Sequence, residues 1–204
     1  DLFIQHGSGD FHALIGVAMA AALCLTGFNV WDGWRAGRES QKVLEQMAGN
    51  TVENRTDLSG VSELSGEEKR LPVIPVDGND YIGVLEIPDQ NLALPVMEDW
   101  SYPKLRIAPC RYKGSAEEKD LIIAGHNYDR HFGGLKQLSP GDPVEFTDVE
   151  GICYRYEVAE VLTMEGTAVE EMETGDWDMT LFTCTIGGQF RVAVRCALIE
   201  DDQK

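Results

Sequence analysis

The stretch that most restricts the architecture of this chain is TLFTCTIGGQFRVAVRC, Thr180 to Cys196. Thr180-Leu181-Phe182-Thr183 is a run of β-formers that ends on Cys184. A polar, glycine-rich turn follows from Thr185 to Gln189, and Phe190 to Arg195 alternates as a returning strand. Such a pair of strands puts a thiol at the end of one and a guanidinium near the start of the next. Arg191 and Arg195 share one face of the return strand, so pleat parity admits either as the cation. A fixed cation beside a sulfur favours thiolate over thiol, and it can also hold an oxyanion or a substrate carbonyl. The competing reading of Cys184 is a small buried hydrophobe at a strand end.

The residues upstream supply more strands for this pair to join. Tyr81 to Pro88 reads as a strand, Asp89 to Asn91 as a turn, and Leu92 to Met97 as the return. Trp100 to Leu105 reads as a helical turn and Cys110 to Ser115 as a loop or short strand. Asp120 to Gly125 is a short apolar strand that delivers His126. Val144 to Asp148 and Ile152 to Met164 are further strands, and the alternation over Ile152 to Val158 gives one core-facing side. His131 is the rival of His126 and reads as a surface or packing histidine in the loop that follows.

The N-terminal part has a different character. Ala13 to Phe28 is apolar and uncharged, with Val30, Trp31 and Trp34 extending it and Arg35 and Arg38 closing it. That approaches the roughly 17–25 residues of a membrane span, with tryptophans placed for the interface. A signal-peptide core and a buried amphipathic helix are the alternatives, though Trp31-Asp32-Gly33-Trp34 makes a poor cleavage site. Ala36 to Met47 reads as a continuing helix, and Ala48 to Pro75 as a polar spacer. Asp77-Gly78-Asn79-Asp80 is turn chemistry that opens the next domain. The expected organisation is a tail over residues 1–12, a candidate transmembrane helix over 13–34, a helical or flexible spacer over 35–76, and a catalytic domain over 77–204. Arg35, Arg38 and Lys42 follow the span, so charge alone places the C-terminal bulk in the cytoplasm.

Charge and cysteines narrow the classes of partner. Lys and Arg number 17 against 35 Asp and Glu, a formal net charge of 17 − 35 = −18. This balance argues against nucleic acid and against a polybasic grip on lipid. The cysteines are Cys24, Cys110, Cys153, Cys184 and Cys196, an odd number without metal-ligand spacing. The connection Glu165 to Trp177, with its neighbour Asp178, is acidic but lacks a calcium-loop spacing, so it reads as a solvated loop. No cofactor is expected, and calcium on this connection is the second reading.

With these residues in place, the chain resembles the sortases, the cysteine transpeptidases of Gram-positive cell surfaces. Their Thr-Leu-x-Thr-Cys signature corresponds to Thr180, Leu181, Thr183 and Cys184, and the arginine on the next strand to Arg191. YIGVLEIPDQNLALPV, from Tyr81 to Val96, looks like the opening hairpin of a sortase barrel. Gly125-His126, Phe132-Gly133-Gly134-Leu135 and Gly141-Asp142 match the family's histidine strand and the loop after it. The likeness runs from roughly Tyr81 to Ile199. It implies a mainly β fold, a closed barrel of about eight strands with short helices behind an N-terminal hydrophobic helix.

The resemblance also implies catalytic roles for Cys184, His126 and Arg191, with Thr183 and Thr185 as candidates for substrate contact or turn packing. The implied reaction cleaves an LPxTG-like sorting signal through a thioacyl-enzyme and joins the product to a cell-wall or pilin amine. Its partners would be surface proteins or pilins with a C-terminal sorting signal, a peptidoglycan or pilin acceptor, and the membrane. This places the catalytic domain outside the cell, opposite to the charge rule. The connection before the Cys184 strand is short for the long helix of class B sortases, and no Asp-Pro-aromatic lid motif is present. The subclass stays among B-, C- and D-like forms. A cysteine peptidase releasing its product to water and a non-catalytic β-barrel surface module are the alternative functions.

Overall fold

The computed structural model describes residues 7–53, 71–185 and 187–200. The first residues of the expected tail and the middle of the expected spacer, residues 54–70, lie outside the described residues. The chain divides into two compact units, Asp1–Arg35 and Ala36–Lys204. Helix α1, Gly7–Glu53, begins in the first and continues into the second.

In the first unit, Leu14, Val17, Leu23, Leu25 and Phe28 are all exposed. Within α1, Leu14–Ala48 contains a window long and apolar enough to cross a membrane. Toward the end of this unit Arg35 donates to Asp32 at 3.0 Å, one helical turn back.

The second unit is a barrel. Its nine strands among the described residues are β1 Ile74–Val76, β2 Asn79–Ile87, β3 Leu92–Met97, β4 Cys110–Lys113, β5 Leu121–Gly125, β6 Pro143–Asp148, β7 Cys153–Glu165, β8 Met179–Cys184 and β9 Phe190–Leu198. They pair in the order β1-β2-β3-β4-β5-β8-β9-β7-β6, and a further β2–β6 pairing closes the ring. β1 pairs with β2 alone, so the closed barrel has the remaining eight strands. Two short helices, α2 Tyr102–Leu105 and α3 Val169–Glu173, sit between strands. This is the expected fold. Inward-facing residues such as Leu85, Leu94, Ile123, Leu181 and Val194 form the barrel core, alternating with outward residues as the pleat requires.

Two parts of the expected spacer belong to the barrel unit. Ile74–Val76 pairs with β2 across Asp77 and Gly78, whose φ values of 48° and 80° form the left-handed turn that suits a two-residue hairpin. In α1, the residues from Ala36 onward pack on the barrel. Val43 and Met47 join Tyr81, Met97 and Cys110 in a second apolar cluster. Ala36, Ser40, Val43 and Met47 are all buried, at a spacing that puts them on one helical stripe. That stripe is the sequence signal for this docking.

Candidate active site

Strand register brings three separated residues together. β5 runs parallel to β8 with Gly125 opposite Thr183, so His126 and Cys184 leave neighbouring strands at the same end. β9 runs antiparallel to β8 with Cys184 opposite Arg191. The turn between β8 and β9 is closed by Thr185, whose N–H donates to the Phe190 carbonyl at 2.9 Å. Phe190 N–H donates to the Thr185 hydroxyl at 3.2 Å. Gly187 and Gly188 take φ values of 91° and 73°, which a side chain resists.

The Arg191 guanidinium donates through Nη1 to Cys184 Sγ at 2.6 Å, and its central carbon lies 6.0 Å from the Phe182 ring centroid. Both Cys184 and Arg191 are half-buried. Arg195 shares the face of Arg191 but stands opposite Thr180, deeper under α3. Only 4% of it is exposed. It donates to the Met172 carbonyl at 2.7 Å, the Thr180 hydroxyl at 2.8 Å and the Glu171 carbonyl at 2.6 Å. Arg195 therefore fastens the connection between β7 and β8, while Arg191 addresses the sulfur. Pleat parity could not separate them because the covering helix is a tertiary feature.

Thr183 is buried, with the pleat parity of Leu181 in the barrel core, and its hydroxyl has no partner among the described residues. Its side chain faces away from Cys184. Thr185 spends its hydroxyl on the turn.

His126 stacks on Tyr128, ring centroids 3.8 Å apart and 17° from parallel. The loop returns at once: Phe132 N–H donates to the His126 carbonyl at 3.0 Å, and the N–H groups of His131 and Gly133 donate to the Tyr128 carbonyl at 2.9 Å. Gly125 is required here, because a Cβ would stand 2.3 Å from the Phe132 ring. His131 is fully buried, with Nε2 3.3 Å from Ser40 Oγ of α1. Burial pushes its imidazole down from 6.5 to about 4, with the charge of neighbouring His126 acting in the same direction. Sequence reasoning missed Ser40 and Tyr128, which contact His131 and His126 respectively.

An apolar surface adjoins the sulfur. Ile122, Ala124, Phe182 and Ala193, on the outer faces of β5, β8 and β9, cluster with Met164 and Met172. Tyr112 and Phe182 meet edge to face with ring centroids 5.4 Å apart, the Trp100 ring lies 5.7 Å from that of Tyr112, and the Tyr102 ring lies 5.8 Å from that of Trp100. Trp100 and Tyr102 are exposed. Glu173 of α3 accepts from the Tyr112 hydroxyl at 3.1 Å and from Lys113 at 2.9 Å. Asp178 accepts from Leu198 N–H at 2.8 Å. Two acids of the connection are thus committed to the protein's own donors, and among the described residues no group of three His, Cys, Asp or Glu converges as a metal site. A cavity of about 420 Å³, lined by Leu71, Ile82, Phe146, Ile152 and Tyr154 among others, contains none of the three residues gathered at the β8 end.

Chemically, this arrangement offers a sulfur nucleophile, a cation against it, a histidine on the adjacent strand and an apolar surface that can receive a peptide. A family model for the sortase domain matches residues 85–199. Sortase A of Staphylococcus aureus is 24% identical over 163 residues, covering 75% of each chain. Among solved structures, sortase C1 from Streptococcus suis aligns with a TM-score of 0.51 at 26% identity, over 60% of this chain and 75% of its own. A Clostridium perfringens sortase D5 transpeptidase aligns with a TM-score of 0.58 at 20% identity, over 80% of this chain and 99% of its own. These relatives carry the class letters A, C and D and do not single out one subclass.

Proposed function

This chain belongs to the sortase family of cysteine transpeptidases, and on that premise we propose that Cys184, His126 and Arg191 cleave and transfer an LPxTG-like sorting signal. The carrying observation is the 2.6 Å contact from Arg191 to the Cys184 sulfur, at the edge of the apolar surface on β5 and β8. Cys184 thiolate attacks the scissile carbonyl, and the carbonyl electrons move onto oxygen. Arg191 holds that oxyanion or the adjacent peptide oxygen with donors that stay charged. The C–N bond then breaks, and His126 gives its proton to the departing amine. An acceptor amine attacks the thioester, loses a proton to His126, and releases Cys184 as thiolate. The leucine and proline of such a signal suit the apolar lining supplied by Ala124, Phe182 and Met172.

Sortases are membrane-associated enzymes of the cell surface, and exposed apolar residues of α1 such as Leu14, Val17, Leu23, Leu25 and Phe28 support an anchor of this kind. The barrel would then lie outside, acting on surface proteins or pilins and on a cell-wall or pilin amine. Arg35 is ion-paired with Asp32 and Lys42 with Asp77, which supports reading the local charge as less than its count suggests.

The test incubates the full chain with a fluorogenic peptide bearing an LPxTG-like signal, with and without triglycine. A product extended by the triglycine mass is expected. Cleavage that yields only the free acid at every triglycine concentration would leave a peptidase in place of a transferase.

A further inference from the structure

The catalytic assignment leaves the fully buried imidazole of His131 without a use. His131 sits in the loop that follows His126, and its Nε2 meets Ser40 of α1. Ser40 is itself buried, and its hydroxyl donates to the Ile107 carbonyl at 3.1 Å. With the hydroxyl hydrogen committed there, Ser40 Oγ accepts from His131, so a neutral His131 is the Nε2–H tautomer. The backbone of Ala36 lies beside the same ring. One turn of helix, Ala36 to Ser40, therefore grips His131.

The grip reaches His126 in two short steps. His131 N–H donates to the Tyr128 carbonyl, and the two rings lie 5.6 Å apart. Tyr128 in turn lies flat on the His126 imidazole. The helix also approaches the loop closely at Gly37, where a Cβ would stand 2.3 Å from Arg130 Cδ. A loop carrying a proton-transfer group at its first residue has no β-ladder beyond that residue to hold the ring's direction. Here side-chain contacts supply the restraint, and they come from a helix remote in sequence.

We propose that His131 is a positioning residue: held by Ser40 of α1, it fixes Tyr128 against His126 and so sets the direction of the His126 imidazole toward the thioacyl reaction. The inference rests on the assignment of His126 as the proton-transfer group. It also explains why the second histidine is enclosed. Kept neutral by burial, His131 adds no charge beside an imidazolium at His126.

The experiment uses the full chain and four variants: Ser40→Ala, His131→Leu, His131→Gln and His126→Ala. Gln places an N–H donor near the Nε2 position and Leu does not. Each is measured for kcat and KM in triglycine transfer and for melting temperature. Labelled-histidine NMR also records the ring-proton shift that the Tyr128 face imposes on His126. Ser40→Ala and His131→Leu are expected to stay folded and to lose about tenfold to a hundredfold in kcat with little change in KM, the scale of a misplaced catalytic group. Their His126 ring protons should move toward the unstacked position, and His131→Gln should recover both rate and shift. Folded Ser40→Ala and His131→Leu with unchanged kcat, or with an unmoved His126 signal, would overturn the proposal. A fall in kcat that tracks melting temperature alone, without rescue by Gln, would overturn it too. If His126→Ala retains transfer, the catalytic assignment itself fails, and the NMR shift still decides whether His131 orients His126.

Discussion

Arg191 and Cys184 are cross-strand partners, and the guanidinium meets the sulfur 2.6 Å away because β8 and β9 pair in a register that places them opposite each other. Four residues farther along β9, Arg195 has the same pleat parity but is spent on α3. The two arginines should therefore fail differently. Arg191→Ala should leave the melting temperature nearly unchanged and cost about 2.7–4 kcal/mol in transition-state stabilisation, read from kcat/KM. Arg191→Lys should recover little, since a point charge does not reproduce the fork. Arg195→Ala should leave the Met172 carbonyl under α3 without its donor, at about 1–3 kcal/mol, visible in denaturant unfolding. Loss of rate in Arg195→Ala at unchanged stability, with Arg191→Ala near normal, would reverse the assignment.

Cys184→Ala should abolish cleavage and transfer together, because no other group there can form the thioester. Intact-mass measurement of the wild type with excess sorting peptide should show an adduct that hydroxylamine removes. Cys24 and Cys153 are exposed, and their serine variants should keep full activity and stability. Cys110 and Cys196 are buried, and their alanine variants should keep activity at a lower melting temperature. An adduct that persists on Cys184→Ala would remove Cys184 from the mechanism.

His131 makes stability depend on pH in a definite direction. Its imidazole is held at about 4 in the fold against 6.5 free, so between these values the unfolded chain binds a proton that the fold refuses. The stability present above pH 6.5 should fall as pH drops toward 4, by on the order of 3 kcal/mol in all. Urea unfolding of wild type and His131→Gln across pH 7.5 to 4 isolates this contribution as the difference between the two curves. Parallel curves would contradict the burial argument.

Gly125→Ala should test the approach of the Phe132 ring to the end of β5. The added methyl must displace the ring or the strand end that carries His126. A stability loss of about 1–3 kcal/mol is expected, together with a fall in kcat. A fully active variant with wild-type stability would show that the loop is not held by this contact.

Two truncations separate the parts of α1. A chain beginning at Ala36 keeps the helix residues packed on the barrel and should fold and leave the membrane fraction. A chain beginning at Ala48 also loses Val43 and Met47, which should cost about 1.5–3 kcal/mol for each buried side chain. It should lose Ser40 from His131 as well. Equal stability of the two chains would show that the helix adds nothing to the barrel, and membrane retention of the first would remove the anchor.

Most of the barrel was legible because its strands announce themselves locally. β-branched runs, alternation and turn residues specify Tyr81 to Met97, Asp120 to Gly125 and Thr180 to Arg195 without reference to anything distant. Cys184 and His126 are legible for the same reason, each closing an apolar strand at a turn. Periodicity of two residues also leaves Arg191 and Arg195 equivalent, and only the burial of one under α3 makes them different. The spacer is less legible where its partners are far off in sequence. Ile74–Val76 becomes a strand because β2 offers it an edge, and the helix over Ala36 to Met47 docks on the barrel because its apolar stripe finds Tyr81 and Met97. Local sequence determines which segments extend and where chemistry-bearing side chains end them. What each side chain faces depends on contacts whose chain-closure cost is met only when the whole barrel forms, so tertiary structure alone decided that Ser40 and His131 stand behind His126.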